Sequence, residues 1–220
     1  WTTTGGSIED KDAENTDITI LEPGTYTITL KGENGKETKT QSKTISVKTN
    51  TNLYNIKDVK FGIKSASSSI GSFYSLKYRN IVPQNEVSEA NGKDIDLVFF
   101  GINSSFEKCY FTSPDLAQEA GFYAIPHASQ TYFINTLETS GISFSSSAFD
   151  TMINDTPLKT LDIKSVSNTN TWFIANPVPR IVLFETADGR KGAIKIKAFV
   201  SEQGQSYLLT DIKFQKETLH

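Results

Sequence analysis

Residues 180–215 read RIVLFETADGRKGAIKIKAFVSEQGQSYLLTDIKFQ. Three runs rich in β-branched and aromatic residues, 180–185, 193–200 and 206–215, are separated by Ala187-Asp188-Gly189 and Glu202-Gln203-Gly204. Short apolar runs punctuated by glycine turns are the pattern of successive hairpins. This stretch therefore predicts a three-stranded antiparallel meander. Further strand candidates precede it at residues 56–65, 73–78, 95–102, 108–111, 130–135 and 158–163. Two short helices are expected among them. Ser113-Pro114-Asp115 offers a cap followed by proline at the first helical position, with Gly121 as its end. Ser147 with Asp150 three residues on resembles a capping box, and Phe149, Met152 and Ile153 form an apolar stripe that Pro157 should stop.

At the other end, Tyr26, Ile28 and Leu30 alternate with threonines in TYTITL, which is the period of a half-buried strand. Pro23-Gly24 opens that strand and Asn34-Gly35 supplies a hairpin turn. A second strand runs over about 37–47, with Ile45 and Val47 on one face. Thr49-Asn50-Thr51-Asn52 is polar and aperiodic, the expected linker. The organisation predicted is one β domain over residues 1–48, a linker at 49–52, and a larger β-rich domain over 53–220.

Composition bounds the rest. Hydrophobic residues are 37% of the 220, and much of the remainder is Thr, Ser and Asn, as in strands with one wet face. A net charge of -3 gives no electrostatic basis for nucleic-acid binding. The longest apolar run, Leu97-Val98-Phe99-Phe100, is far short of the roughly 20 residues that span a bilayer. Cys109, the single cysteine, excludes an internal disulfide.

Trp1, Gly5-Gly6, PGTYTITL at 23–30, Asn34-Gly35 and SKTISV at 42–47 together resemble the polycystic-kidney-disease (PKD) type of immunoglobulin-like domain. The stretch Pro-Gly-x-Tyr-x-Ile-x-Leu is its most specific part. WTTTGG stands where that family carries Trp-x-Phe-Gly-Asp-Gly. A sandwich of this class needs about seven strands, so the opening strands are expected upstream of Trp1, leaving a poorly covered apolar face. GSFYSLKYRNIV at 71–82, IDLVFFGINSS at 95–105, FTSPDL at 111–116, SSSAFDTMI at 145–153 and LFETADGRKGAIKIKAF at 183–199 resemble a module of Bacteroidetes surface lipoproteins. The two resemblances imply a mainly β protein: a partial immunoglobulin-like sandwich, then a larger β-sandwich-like domain with one or two short helices. They also imply an extracytoplasmic, cell-surface location with a lipid anchor upstream, and a PKD-like spacer. They supply no catalytic residues and no cofactor.

No constellation in the sequence specifies a reaction. Cys109 and His127 are the only internal pair suited to a thiolate and its base, but Cys109 in a short strand reads as a buried, inert thiol. A serine triad would need His127, since His220 is the last residue, and no Gly-x-Ser-x-Gly elbow is present. Asp94 and Asp96, two apart, could share a strand face as an acid pair; a solvated strand edge is the plainer reading. The acidic stretch 9–15 lacks the Gly and Glu positions of an EF-hand. Asp150-Thr151-Met152 matches the short acidic-Thr-apolar pattern of Bacteroidetes O-glycosylation. Phe122, Tyr123, His127 and Trp172 are the binding candidates, because aromatic faces in loops stack on sugars or anchor a protein partner. The function expected is a non-catalytic module binding glycan or a surface protein, with no metal and no cofactor. The competing expectation is an extracellular hydrolase, or an accessory domain of a glycan-degrading system. The discriminating question is whether two acidic side chains converge in one pocket.

Overall fold

The computed structural model describes residues 1–168 and 171–218. The chain divides into two compact units, Trp1–Thr51 and Asn52–His220.

In the first unit, β1 (Thr2–Thr3), β4 (Gly24–Glu33) and β5 (Thr38–Val47) form one sheet in the order β1-β4-β5, and β2 (Ser7–Ile8) pairs with β3 (Ile18–Thr19). The hairpin register sets Tyr26 opposite Ile45, Gly24 opposite Val47 and Thr29 opposite Ser42. Directly opposed residues share a face and neighbours alternate, so Tyr26, Ile28, Leu30, Ile45 and Val47 fall on one side. Threonines and serines fill the other, where the Thr29 and Ser42 hydroxyls lie 2.8 Å apart. The turn is the one the sequence announces: Asn34 Oδ1 accepts from the Lys36 and Glu37 amides, and Gly35 takes φ 81°. No side chain of this unit is buried, and Leu30 remains 42% exposed.

The second unit is a two-sheet sandwich. Its larger sheet is wholly antiparallel, in the order β11 (Thr131–Ile134), β12 (Arg180–Thr186), β13 (Lys191–Val200), β14 (Tyr207–Phe214), β6 (Tyr54–Gly62). The meander is present as β12-β13-β14, joined by the two glycine turns. The smaller sheet runs β10 (Cys109–Thr112), β9 (Leu97–Gly101), β7 (Phe73–Ser75), β8 (Asn80–Val82).

The central strands β9 and β12 are covered on both faces, and the alternation of side chains shows it. Leu97 and Phe99 of β9, and Val182 and Phe184 of β12, enter the core between the sheets, where Phe61 meets Phe111 edge-on at 5.1 Å. Val98 and Phe100 point the opposite way, against Phe73 and residues of the 117–125 loop. Ile181 and Leu183 likewise point outward beneath Phe149, Met152 and Leu158. A strand buried on both faces reads as a continuous apolar run, which is why Leu97–Phe100 shows no alternation. Gly192 stands opposite Phe184 because that ring lies where a Cβ would be.

Two adjacent bulges fix the register beside β14. Asp211 faces two residues of β6, Lys57 and Asp58, while Lys197 of β13 has no partner in the ladder. An unpaired bulge residue leaves its backbone groups unsatisfied. Here the Asp58 amide donates to Asp211 Oδ1 at 3.0 Å, and Lys197 Nζ reaches Asp58 and Asp211 at 2.5 and 2.6 Å. Burial opposes ionisation of Asp211, but these bonds, led by Lys197, hold its pKa below the usual carboxylate value.

Four local expectations are corrected. Residues 158–163 are not a strand: α2 (Thr156–Lys159) begins there with Pro157 in its first turn, so this proline starts a helix rather than stopping one. The cap of α1 (Ser146–Thr151) is Ser145, whose Oγ accepts from the Ala148 amide at 3.0 Å, and Ile153 is 87% exposed instead of lying on the apolar stripe. Residues 114–116 make only a 3-10 turn, and Ser113 Oγ accepts from Thr131 N–H rather than capping it. Asp96 is not on a solvated edge: it is 9% exposed and binds the Leu76 amide at 2.7 Å.

Candidate functional site

Phe173 makes a backbone bridge to Cys109, with N–O distances of 2.9 and 2.8 Å, and drives its ring into the core between the sheets. In extended chain the neighbours of an inward residue point outward. Trp172 and Ile174 are accordingly 52% and 49% exposed. Trp172 forms one wall of a groove of about 540 Å³ lined also by Thr136, Thr139, Thr171, Glu138 and Arg180.

The polar side of this groove is ordered. Asn168 Nδ2 donates to the carbonyl and hydroxyl of Thr136 at 3.0 Å each, and the Thr136 hydroxyl lies 3.0 and 3.2 Å from those of Thr139 and Thr171. Arg180, at the start of β12, has a side chain only 10% exposed. It places its guanidinium 5.3 Å from the Phe173 ring centre and donates from Nη1 to Glu138 at 3.3 Å. Its Nε is buried without a hydrogen-bond partner among the described residues. A buried unpaired donor is costly, and the residue that carries it lines an open groove beside an exposed indole.

The other candidates lie apart from that groove. Phe122 is 6% exposed and packs edge-on against Phe73 and Phe100 at 5.2 and 6.3 Å, so its ring offers no face to a ligand. Tyr123 beside it is 77% exposed. His127, at φ 53°, pairs with Glu89 at 2.9 Å on the surface and does not meet Cys109. Cys109 is fully buried, and desolvation pushes its thiol pKa up to about 12, which removes the thiolate a nucleophile needs. Thr151 is exposed, its hydroxyl donating back to the Ser147 carbonyl at 2.9 Å. In the 9–15 stretch, Asp10 Oδ1 accepts from the Asp12 amide at 2.9 Å. His220 lies outside the described residues.

A second cleft, about 460 Å³, does bring acidic side chains together: Asp94, Asp96 and Asp188 line it with Lys77, Arg79, Lys93, Arg190, Lys216 and Tyr54. Each carboxylate is engaged. Asp94 holds Lys77 at 3.0 Å, Asp188 holds Arg190 Nε at 2.8 Å and the Thr186 hydroxyl, and Asp96 faces Arg190 Nη2 at 3.7 Å. Burial raises the Asp96 pKa to about 6, partly offset by the Leu76 amide and Arg190. No group of three or more His, Cys, Asp or Glu residues suited to a metal occurs among the described residues. None of the described helices is long and apolar enough to cross a membrane.

No family model matches the sequence, and no curated protein matches it either. The fold is similar to the crystal structure of a DUF4466 family protein from Parabacteroides merdae, with a TM-score of 0.50 and 14% identity. The likeness covers 87% of this chain and 62% of that one, so the chain spans under two thirds of its neighbour's length. At that identity it establishes a mainly β fold shared with a Bacteroidetes protein of an uncharacterised family.

Proposed function

We propose that the second unit is a non-catalytic glycan-binding module displayed outside the cytoplasm, with the PKD-like first unit as its spacer. One observation carries the reading: an exposed Trp172 shares a groove with Arg180 and three linked threonine hydroxyls. A sugar ring presents an apolar C–H face and a rim of hydroxyls. The indole supplies a stacking surface, while Arg180, Glu138 and the threonines supply donors and acceptors at the rim. Surface display draws on the resemblance of both parts to bacterial surface modules and on the origin of the structural neighbour.

The chain has two tryptophans, Trp1 and Trp172, which makes the test direct. Glycans that score on an array are titrated against the intrinsic fluorescence of wild type, Trp1→Phe and Trp172→Ala. The reading expects saturable quenching in the first two and none in the third. An array with no responding glycan, or Trp172→Ala retaining array binding, overturns it. A surface protein as ligand would instead use the apolar side, and Ile174→Ser would then weaken binding as much as Trp172→Ala.

The hydrolase alternative has the convergence of Asp94, Asp96 and Asp188 in its favour. Against it, Arg190 pairs with both Asp96 and Asp188, and Lys77 with Asp94, so none of the three carboxylates stands free as a nucleophile or base. Glycan hydrolysis by wild type that is lost in Asp96→Asn would reinstate it.

A further inference from the structure

The cleft beside Tyr54 differs in sign from the molecule around it. The chain carries a net charge of -3, yet five cationic and three acidic side chains line this cleft, leaving it +2. Lys77 is matched by Asp94, and Arg190 by Asp188 and Asp96. Arg79, Lys93 and Lys216 have no carboxylate partner among the described residues.

Their placement is specific. Arg79 follows β7 in the tight turn to β8, with its amide bonded to the Ser75 carbonyl at 2.8 Å, and its φ is 56°. Only glycine, asparagine or aspartate adopt that backbone readily, so an arginine there carries a conformational cost. The turn sets the guanidinium 4.8 Å from the Tyr54 ring centre. Lys216, just past β14, puts its ammonium 5.3 Å from the same ring. Two like charges are thus gathered on one aromatic ring, where each is held by the π-face but repels the other. Lys93 approaches from a third element, the 3-10 turn Gly92–Asp94.

We propose that this cleft binds a tetrahedral oxyanion, a sulfate or phosphate group, free or esterified to a sugar. An oxyanion of that shape presents oxygens in several directions at once, which suits cations arriving from three separate elements, and it would cancel the repulsion across Tyr54. The carboxylates around it serve as braces: Asp188 and Asp96 fix Arg190, and Asp94 draws Lys77 aside. The site is independent of the Trp172 groove, so either can fail without the other.

The test is isothermal titration of the full chain with inorganic sulfate, inorganic phosphate, a sugar 6-sulfate and a sugar 6-phosphate. Wild type is expected to bind at least one with 1:1 stoichiometry and a Kd at or below about 1 mM, weakening as salt is raised. The tighter class, free ion or ester, sulfate or phosphate, identifies the source. Arg79→Gln/Lys216→Gln should lose roughly tenfold or more, whereas Lys36→Gln/Lys39→Gln, an equal charge change in the first unit, should lose less than about twofold. All four replaced residues are exposed, and unchanged melting temperatures verify that the variants fold. Absence of binding by all four probes, or equal losses in the two double variants, overturns the proposal.

Discussion

The two units use the same strand chemistry and reach opposite outcomes. In the first, Tyr26, Ile28, Ile45 and Val47 share a face but none is buried; in the second, Phe61, Phe99, Phe111, Phe133, Phe184 and Phe214 are all at 0% exposure. Local alternation and a good Asn-Gly turn suffice to form a hairpin. A core needs two layers packed closely enough to bury side chains between them, and only the second unit buries any, so most of the hydrophobic stabilisation resides there.

The largest test of that contrast is hydrogen exchange. Amides of Ile194, Ile196 and Ile212 should exchange at least about 1,000-fold more slowly than those of Ile28 and Leu30, because the former need global opening and the latter only local fraying. Equal protection would mean that the first unit is held by more than its own hairpin. Truncation comes next. Phe61→Ala should cost about 3–5 kcal/mol in denaturant unfolding of the second unit, and Ile28→Ala less than about 1 kcal/mol in the first. Comparable costs would abolish the distinction.

Acidity should separate the units further. The Asp96 carboxyl, raised by burial to about 6, holds its proton more tightly folded than unfolded. Its contribution therefore favours folding at low pH and is lost as pH rises from about 4 to about 6, by up to about 3 kcal/mol. Asp96→Asn keeps an acceptor for the Leu76 amide and should flatten that part of the profile; an unchanged profile would show that another group is responsible. The smallest effect concerns Lys213. It is 3% exposed and donates to the Phe149 and Met152 carbonyls at 2.8 and 2.7 Å, closing the end of α1. Lys213→Met should cost about 1–3 kcal/mol by stranding those acceptors, detectable as a lower melting temperature of the second unit alone.

Much of this architecture was legible because strand parity and turn chemistry are local. The meander and the Asn34-Gly35 hairpin are bounded by glycines that only turns require. Other features were decided by contacts distant in sequence. Ser145 and Ser147 are chemically identical capping candidates, and the choice between them depends on which turn lets Phe149 and Met152 reach the core. Leu158, Leu161 and Ile163 fit a strand or a short helix equally, and Thr156-Pro157 tips the balance. Of the adjacent pair Phe122 and Tyr123, one ring must turn inward, and sequence does not say which. The Trp172 groove shows the same limit. The tryptophan stands out in the sequence, but Arg180 and Thr136 join it only because Cys109 bridges Phe173, a contact between chain segments 64 residues apart, from 109 to 173.

The closing strand of the larger sheet has a consequence for biosynthesis. β6 is an edge strand whose sole ladder partner is β14, so Tyr54 pairs with Phe214 across nearly the whole second unit. At translation rates of about 5–20 residues per second, β6 leaves the ribosome on the order of 10–30 s before the strand it must bind. During that interval the sheet has no way to close, and Phe61 has no finished core to enter. The sheet is therefore completed only when β14 has been made, and the nascent chain must keep β6 and its Phe61 from other partners until that strand emerges.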